Sequence, residues 1–323
     1  MSDYGTKAEV IEVTLIPHPN ADKLSLVRIG DYQVGVRTDE WSDGDLGVFV
    51  QPDSVVPNTP EFSWVGPDRR VRPRRFRGTW SHGLLVHAPA GSLPGDDVAE
   101  LLGITRYEPP EDRRILRGDA ASAPGFHVPT YSVEPYKRYP DLFVENEPVV
   151  FQEKIHGENA RFVYDDIERT FHVGSHRVWR KPGDNLYWKV LNQTPWLRGF
   201  LQDNPLHVVF GEIFGQQDLK YGLDQHNFGF KAFDIWHNHT WWDYRRVIDQ
   251  GLTDEGRWTP VFYYGPFSKA KVLQLTSGPT WIEGADNIRE GIVIKPIIEQ
   301  FSIALGGRLM LKSVSDEYLE RSK

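Results

Sequence analysis

The sequence predicts a small β-barrel followed by an α+β domain, and three observations carry that expectation. Residues 1–105 are short alternating apolar runs separated by Gly, Asp and Pro, the pattern of a compact all-β module. Residues 106–128, RYEPPEDRRILRGDAASAPGFHV, combine paired prolines, alternating charges and small residues, which reads as a linker. From 129 to 323, strand-like runs mix with helical periods. At roughly 150 residues per domain, the 323 residues imply about two domains.

In chain order, AEVIEVTLIP, KLSLVRIG, YQVGVRT, DLGVFVQP and HGLLVHAP supply the barrel strands. HPNAD stops the chain between the first two, so His18 is expected as a turn residue, and Gly78 and Gly83 bracket a bend. In the second domain VVFQEKIHGENARFVYD, HVVFGEIFG, FGFKAFDIW and REGIVIKP read as strands. Helices are expected around Leu186–Phe200 and over TWWDYRRVIDQG, closed by Gly251.

Composition excludes several classes. The apolar fraction of 39% is ordinary for a folded chain and too high for disorder. No apolar run approaches the ~20 residues that span a bilayer, and the first residues carry no apolar signal segment. The lack of cysteine excludes disulfides, thiol catalysis, Fe–S clusters and cysteine-ligated zinc. An intracellular, cytoplasmic protein with no membrane and no obligate protein partner is expected.

Charge is informative locally. Lys and Arg total 37 against 45 Asp and Glu, a net charge of −8, the wrong sign for a protein that coats nucleic acid. Yet residues 69–77, RRVRPRRFR, place six arginines in nine positions. A phosphate backbone would relieve their repulsion; so would surface carboxylates around a solvated loop. Charge alone does not choose between them.

IEVTLIPHPNADKLSLVRIG, with RFRGTWSHGLLV further on, resembles the OB-fold tRNA-binding module appended to several aminoacyl-tRNA synthetases. The resemblance implies an OB domain over 1–105. Basic grooves with aromatic platforms bind single strands, and here Arg72, Arg74, Arg75 and Arg77 lie beside Phe76 and Trp80. A barrel that serves only as a docking surface is the alternative.

In the second domain, FQEKIHGENARF contains Lys154 and Gly157, a K-x-x-G that is weak by itself. The ordered series that follows is not: FGEIFG (Glu212), KAFDIW (Phe233, Asp234), REGIVIKP (Glu290, Lys295) and LMLKS (Lys312). This series resembles the covalent nucleotidyltransferases, the polynucleotide ligases and capping enzymes. EKIHGENARF, with Glu153, His156 and Asn159, looks most like the RNA ligases that seal nicks in duplex RNA, in the branch with an amino-terminal OB domain. The resemblance implies a β-barrel followed by an α+β nucleotidyltransferase domain with ATP-grasp-like antiparallel sheets over 129–323, joined by the linker at 106–128.

The chemistry fits the residue types. A lysine nucleophile has a free pKa of about 10.4 and must be deprotonated to attack phosphorus. Gly157 would let the backbone approach a nucleotide, and Phe233 offers a ring face to a purine. Glu212 and Glu290 supply oxygen ligands, direct or through water, for Mg2+ or Mn2+. Lys312 and Arg177 would neutralise transferred phosphate. By resemblance Lys154 becomes adenylylated from ATP, with Glu153, His156, Gly157, Asn159, Arg177, Glu212, Phe233, Asp234, Glu290, Lys295 and Lys312 around it. The implied substrate is a nicked RNA duplex or RNA/DNA hybrid, and the implied products follow lysyl-AMP and RNA-adenylate.

Two departures stand out. Many relatives carry lysine two residues before the last motif lysine, where this chain has Met310, so either Lys295 or Arg308 is expected to compensate or the final step to differ. VGSHRVWRK offers both Arg177 and Arg180; Arg177 is chosen because it follows Ser175 most closely. The H-x-H of His237 and His239 reads as a polar turn, not a metal site. Taken alone, Phe233 would be a core aromatic. The rivals are a DNA ligase or capping enzyme, for which only 11 residues follow Lys312 where an OB domain would stand, and a non-catalytic OB-type RNA-binding protein.

Overall fold

The computed structural model describes residues 8–107, 118–224 and 227–321. These fall into two compact units, 8–107 with Lys137–Pro140, and 118–136 with 141–321. Among the described residues no helix is long and apolar enough to cross a membrane.

Among the described residues the first unit has ten strands: β1 (Ala8–Glu12), β2 (Ile16–Pro17), β3 (Leu24–Ile29), β4 (Tyr32–Arg37), β5 (Leu46–Val50), β6 (Ser54–Val55), β7 (Arg74–Phe76), β8 (Thr79–Ser81), β9 (Leu84–His87) and β10 (Thr105–Arg106). β1, β5 and β9 form one antiparallel sheet and β2, β3 and β4 another. Alternation decides what is buried: Tyr32, Val34 and Val36 of β4 point inward while Gln33 and Gly35 do not. Val10, Val48, Val50 and Leu84 make one apolar cluster, and Val27, Val34, Phe49 and Leu85 another. The expected bend is present. Arg77 and Gly78 both have positive φ, +47° and +86°, in the two-residue turn between β7 and β8, the handedness that suits twisted hairpins. His18 is a turn residue as expected, its Nδ1 accepting the Asn20 N–H at 3.1 Å.

The second unit has two antiparallel-dominated sheets. One runs β11 (Ala120–Ala121), β16 (Trp179–Arg180), β15 (Thr170–Ser175), β14 (Gly157–Asp165), β17 (Val208–Phe214), β18 (Gly229–His237), β19 (Thr240–Trp241). The other runs β12 (Glu134–Pro135), β24 (Leu311–Val314), β21 (Gly291–Pro296), β13 (Pro148–Lys154), β20 (Val261–Pro266), with β12 parallel to β24. A small hairpin, β22 (Phe301–Ser302) and β23 (Gly307–Arg308), lies between β21 and β24. The long run expected as strand is thus two strands: β13 ends at Lys154, and the chain enters the other sheet at Gly157.

Helices α1 (Leu186–Gln193) and α2 (Pro195–Asp203) cover one face of the larger sheet, packing Val190, Leu191, Leu197 and Leu201 on Phe162, Val173 and Val209. One helix was expected there. Asn185 caps α1 by accepting the Trp188 N–H at 3.2 Å, and Pro195, unable to continue α1, opens α2. The second expected helix, α3 (Tyr244–Asp249), is shorter than read, because its Thr-Trp start belongs to β19; it ends before Gly251, φ +63°. α4 (Lys269–Thr276) and α5 (Asp316–Arg321) complete the unit.

The linker expectation is corrected in part. Residues 108–117 lie outside the described residues, but Ala120 and Ala121 pair with Arg180 and Trp179. Phe126 and Val128 pack with Val163, Val208 and Phe210 on the sheet face opposite the helices. Apolar side chains inside a proline-rich stretch found a surface to cover.

Candidate active site

β13 runs through the middle of the smaller sheet, with Val149, Val150 and Phe151 fully buried. Its last two residues point to opposite faces. Lys154 lies opposite Gly291 of β21, which brings its Nζ to 2.5 Å from Oε1 of Glu290. The register also puts Gln152, Val293 and Lys312 on the Lys154 face. Glu153 faces away. Its Oε1 accepts from Thr280 Oγ1 at 2.5 Å and its Oε2 from the Trp281 N–H at 2.9 Å. Both oxygens hold the 280–281 segment.

Glu290 is buried, and burial by itself would raise its pKa. Lys154 and His156 overcome that and hold it at about 2. His156 is clamped: Nε2 is 2.7 Å from Asp218, Nδ1 is 2.9 Å from the Tyr318 hydroxyl and 3.8 Å from Glu290, and its N–H donates to the Tyr221 hydroxyl at 2.7 Å. Burial favours neutral imidazole, but Glu290 and Asp218 together push the pKa up. The two carboxylates favour the protonated imidazole over the neutral one.

The larger sheet contributes the face carrying Gly157, Asn159 and Arg161 of β14. Glu212 of β17 stands directly opposite Asn159. Burial raises Glu212 to about pKa 8; Lys154 pulls it down and Glu290 pushes it up. Glu212 makes no hydrogen bond or ion pair among the described residues, and Asn159 Oδ1 is sealed from solvent without a donor. A Cβ at Gly157 would stand 2.1 Å from the Ile213 carbonyl oxygen, so glycine lets β14 and β17 approach.

Phe233 reaches this face through a bulge. Phe210 pairs with Asp234 and Gly211 with Ala232, so Phe233 is the extra residue. Phe233 and Asp234 therefore share a side that simple alternation would deny one of them. Phe233 packs 4.7 Å from the Tyr131 ring.

Asp234 and Lys295 are corrected. Lys295 Nζ donates to the Phe233 carbonyl at 2.9 Å and to Asp234 Oδ2 at 3.1 Å. Arg308 pairs with Asp234 at 3.0 Å and with Glu299 at 2.8 Å, and Tyr131 donates to Asp234 Oδ2 at 2.8 Å. Burial opposes ionisation of Asp234, yet Arg308 and Lys295 keep its pKa below the usual range. Both residues belong to a buried network that fixes Phe233. Met310 is buried with its sulfur 3.1 Å from the Tyr131 hydroxyl. Lys295 and Arg308, expected to compensate for Met310, are both engaged with Asp234 in this structure.

Arg180 is buried over the Tyr187 ring, 5.2 Å away on the helix-covered face, whereas Arg177 is exposed in the turn after β15. Sequence reading missed Tyr131 and Arg161. Arg161 interrupts the apolar run of β14, a signal that was visible. His237 stacks on His207 at 3.8 Å, and His239 is in the turn to β19 with φ +63°, so the H-x-H is a turn as expected. Asp165, Glu168 and His172 cluster at the β14–β15 hairpin, where Asp165 already accepts the N–H groups of Ile167 and Glu168.

In the first unit the arginine run divides. Arg69 donates to the carbonyls of Phe62 and Val65, Arg70 pairs with Asp53 at 2.7 Å, and Arg72 pairs with Asp68. Arg72 is thus engaged by a surface carboxylate in this structure. Arg74 and Arg75 project from β7 over Trp64 and Trp80, at 6.0 and 4.7 Å, and Arg77 is exposed in the turn. Beside them a cavity of about 500 Å³ is lined by Trp41, Trp64, Phe76, Leu84 and Arg74.

An RNA ligase family model matches residues 147–314, just over half of the chain, and an OB-fold domain model matches residues 6–88. No curated protein matches. Solved structures of a Naegleria gruberi RNA ligase have the same two-part fold, an amino-terminal OB-fold domain and an antiparallel-sheet nucleotidyltransferase domain. A mutant with ATP and Mn is 22% identical, covering 97% of this chain and 98% of its own, TM-score 0.78. A mutant with AMP and Mn is 22% identical over 98% of each chain, TM-score 0.79. The enzyme with PPi is 21% identical over 98% of each, TM-score 0.78.

Proposed function

This chain belongs to the RNA ligase family, and from that premise we propose that it is an ATP-dependent ligase sealing nicks in duplex RNA. The single observation that carries the reading is the juxtaposition of Lys154 with Glu290, at 2.5 Å, and with the unpartnered carboxyl of Glu212. A carboxyl held near pKa 8 by burial without a partner fits a seat for a cation that arrives with the substrate.

Glu212 and Glu290 would hold Mg2+ or Mn2+. A divalent ion there supplies positive charge that competes with the Lys154 ammonium for Glu290 and favours the neutral amine. The Lys154 amine then attacks the α-phosphorus of ATP: a P–N bond forms, the bond to the bridging oxygen breaks, pyrophosphate leaves and the amine gives up its proton. In the second step the 5′-phosphate oxygen of the nick attacks the same phosphorus and Lys154 leaves. In the third the 3′-hydroxyl attacks the RNA phosphorus and AMP departs. Phe233, held by Lys295 and braced on Tyr131, stacks on adenine; Lys312 and Arg177 balance phosphate charge. His156 keeps Glu290 ionised and oriented. Arg74, Arg75 and Arg77 supply contacts to the RNA backbone. A nicked RNA duplex or RNA/DNA hybrid is the substrate, and an intracellular, cytoplasmic location fits a substrate of ATP and RNA ends.

The test is incubation with α-labelled ATP and divalent metal, followed by sealing of nicks in every RNA/DNA strand combination. Covalent label on the protein with sealing confined to nicks that have RNA at the 3′-hydroxyl side or on both strands supports the reading. A protein that binds RNA and never retains label refutes it.

A further inference from the structure

Arg161 is a buried cation without a counter-ion. It is 5% exposed, on the same face of β14 as Asn159, two residues away. Its guanidinium carbon stands 4.2 Å from the Trp179 ring centre. Among the described residues no carboxylate pairs with it, and its Nε is sealed from solvent without an acceptor. Burial pushes its pKa down to about 10, so it remains charged at neutral pH.

Of the other buried arginines of this unit, Arg180 also leaves Nε and Nη1 without partners, but it lies over Tyr187 on the helix-covered face, away from Asn159 and Glu212. Arg308 has Asp234 and Glu299, and Arg289 donates to the Leu275 carbonyl at 3.0 Å. An unpaired charge inside a fold costs stability, and an apolar side chain of the same volume would be better tolerated there. The ring of Trp179 compensates only in part. Asn159 Oδ1 is likewise orphaned, and Glu212, opposite Asn159, has no partner. Three polar groups lacking partners on one adjoining strand pair form the complement of a ligand that brings anionic oxygens, donors and a cation together. A nucleotide phosphate with its ribose hydroxyls and metal has that chemistry.

Resting on the ligase reading, we propose that Arg161 is a phosphate-binding residue of the Lys154 site, its guanidinium taking an oxygen of the nucleotide or of the RNA 5′ end. The fold carries the unpaired charge in the empty site and recovers the interaction when phosphate enters. The two sources are the phosphates of ATP and the 5′-phosphate of the nick.

The experiment compares wild type with Arg161→Met and Arg161→Lys in the full chain. Met keeps the stem packed on Trp179 and removes the charge, so the melting temperature without ligand should hold or rise. Inorganic pyrophosphate should stabilise wild type and fail to stabilise the Met variant. In the ATP arm, the ATP concentration giving half-maximal self-adenylylation should rise roughly tenfold to a hundredfold if the contact is to ATP. In the second arm, without ATP, sealing of a pre-adenylylated nick should fall by a similar factor if the contact is to the RNA end. Arg161→Lys should lie between, since it keeps charge without the planar fork. Loss in either arm at an unchanged or raised melting temperature supports the proposal. Both arms at wild-type level, or a loss that tracks a fallen melting temperature, overturns it. If wild type itself forms no lysyl-AMP the ligase reading fails, and the pyrophosphate-induced stabilisation still decides the role of Arg161.

Discussion

Lys154 and Glu290 stand 2.5 Å apart, and sheet register brings them there: Lys154 closes β13 opposite Gly291, whose neighbour is Glu290. Residues 136 apart in sequence are joined by the pairing of two central strands. The contact helps hold Glu290 ionised and makes the nucleophile dependent on whatever draws Glu290 away.

Lys154→Arg should preserve that ion pair and the fold while abolishing covalent AMP as completely as Lys154→Ala, because guanidinium does not deprotonate in proteins. Mass spectrometry should locate AMP on a Lys154 peptide in wild type. AMP on another lysine, or label retained by either variant, would remove Lys154 as nucleophile.

Glu212 predicts a pH dependence with a definite sign. Its pKa is about 8 in the folded chain against an ordinary 4.5. Between those values the folded protein binds a proton that the unfolded chain does not, so stability falls as pH rises through the window. Glu290, held at about 2, acts in the opposite sense: its contribution is present above pH 4.5 and lost as pH falls toward 2. Glu212→Gln should flatten the fall toward pH 8 and leave the acid limb intact. Mn2+ should stabilise wild type more above pH 8 than near pH 6, since it must displace the proton, and should do little for the glutamine variant. Melting curves across pH, with and without Mn2+, check both; an unaltered alkaline slope in the variant would count against the burial of this carboxyl.

Phe233→Leu should raise the ATP requirement while Phe233→Tyr stays near wild type, because a purine uses only the ring face. Tyr131→Phe removes the hydroxyl from Asp234 and should cost about 1 kcal/mol of stability with a smaller effect on ATP. A Phe233→Leu protein that is destabilised but has normal ATP dependence would return Phe233 to the core.

Asp234→Ala should be the most destabilising single change in the site. It leaves the buried Lys295 ammonium with only the Phe233 carbonyl and Arg308 with Glu299 alone, at a cost of about 3–5 kcal/mol by chemical denaturation. A double change that also replaces Lys295 with Met should recover part of the loss. A mild Asp234→Ala would mean that water already reaches this network.

The strands bearing Lys154, Glu212, Phe233 and Glu290 were readable because long apolar runs are local signals, and the two-part organisation followed from the change of pattern along the chain. What was not readable depended on pairing. The bulge at Phe233 exists only against β17, so the sequence KAFDIW by itself assigns Phe233 and Asp234 to opposite faces. Asp234 meets Lys295 across 61 residues, and Glu153 meets Thr280 across 127; no spacing announces such partners. Arg72 looked the equal of Arg74 until Asp68 was found four residues away on a turn. Arg161 was visible as a charge within an apolar strand but had no motif to give it meaning.

The division of the arginine run leads to the last prediction. Arg72 spends its charge on Asp68, whereas Arg74 and Arg75 lie over indole rings on an exposed strand. An arginine stacked on an aromatic keeps its N–H groups directed outward, the arrangement that grips phosphate while bases stack nearby. Arg74→Ala with Arg75→Ala should therefore weaken RNA binding and lower the slope of log affinity against log salt by about one to two units, as fewer counterions are released. Arg72→Ala should change that slope much less, because its charge is already balanced. Self-adenylylation needs only the second unit's residues and should be unaffected in both. Sealing should fall in the double variant, since poor alignment of a nick by about 1 Å can cost ~100-fold. Binding titrations at several salt concentrations, with adenylylation and sealing followed in parallel, separate these outcomes. If Arg72→Ala flattens the slope as much as the double change, the Asp68 pair opens when RNA binds and the three arginines act together. If neither variant alters the slope, the run is a solvated loop and RNA is held elsewhere.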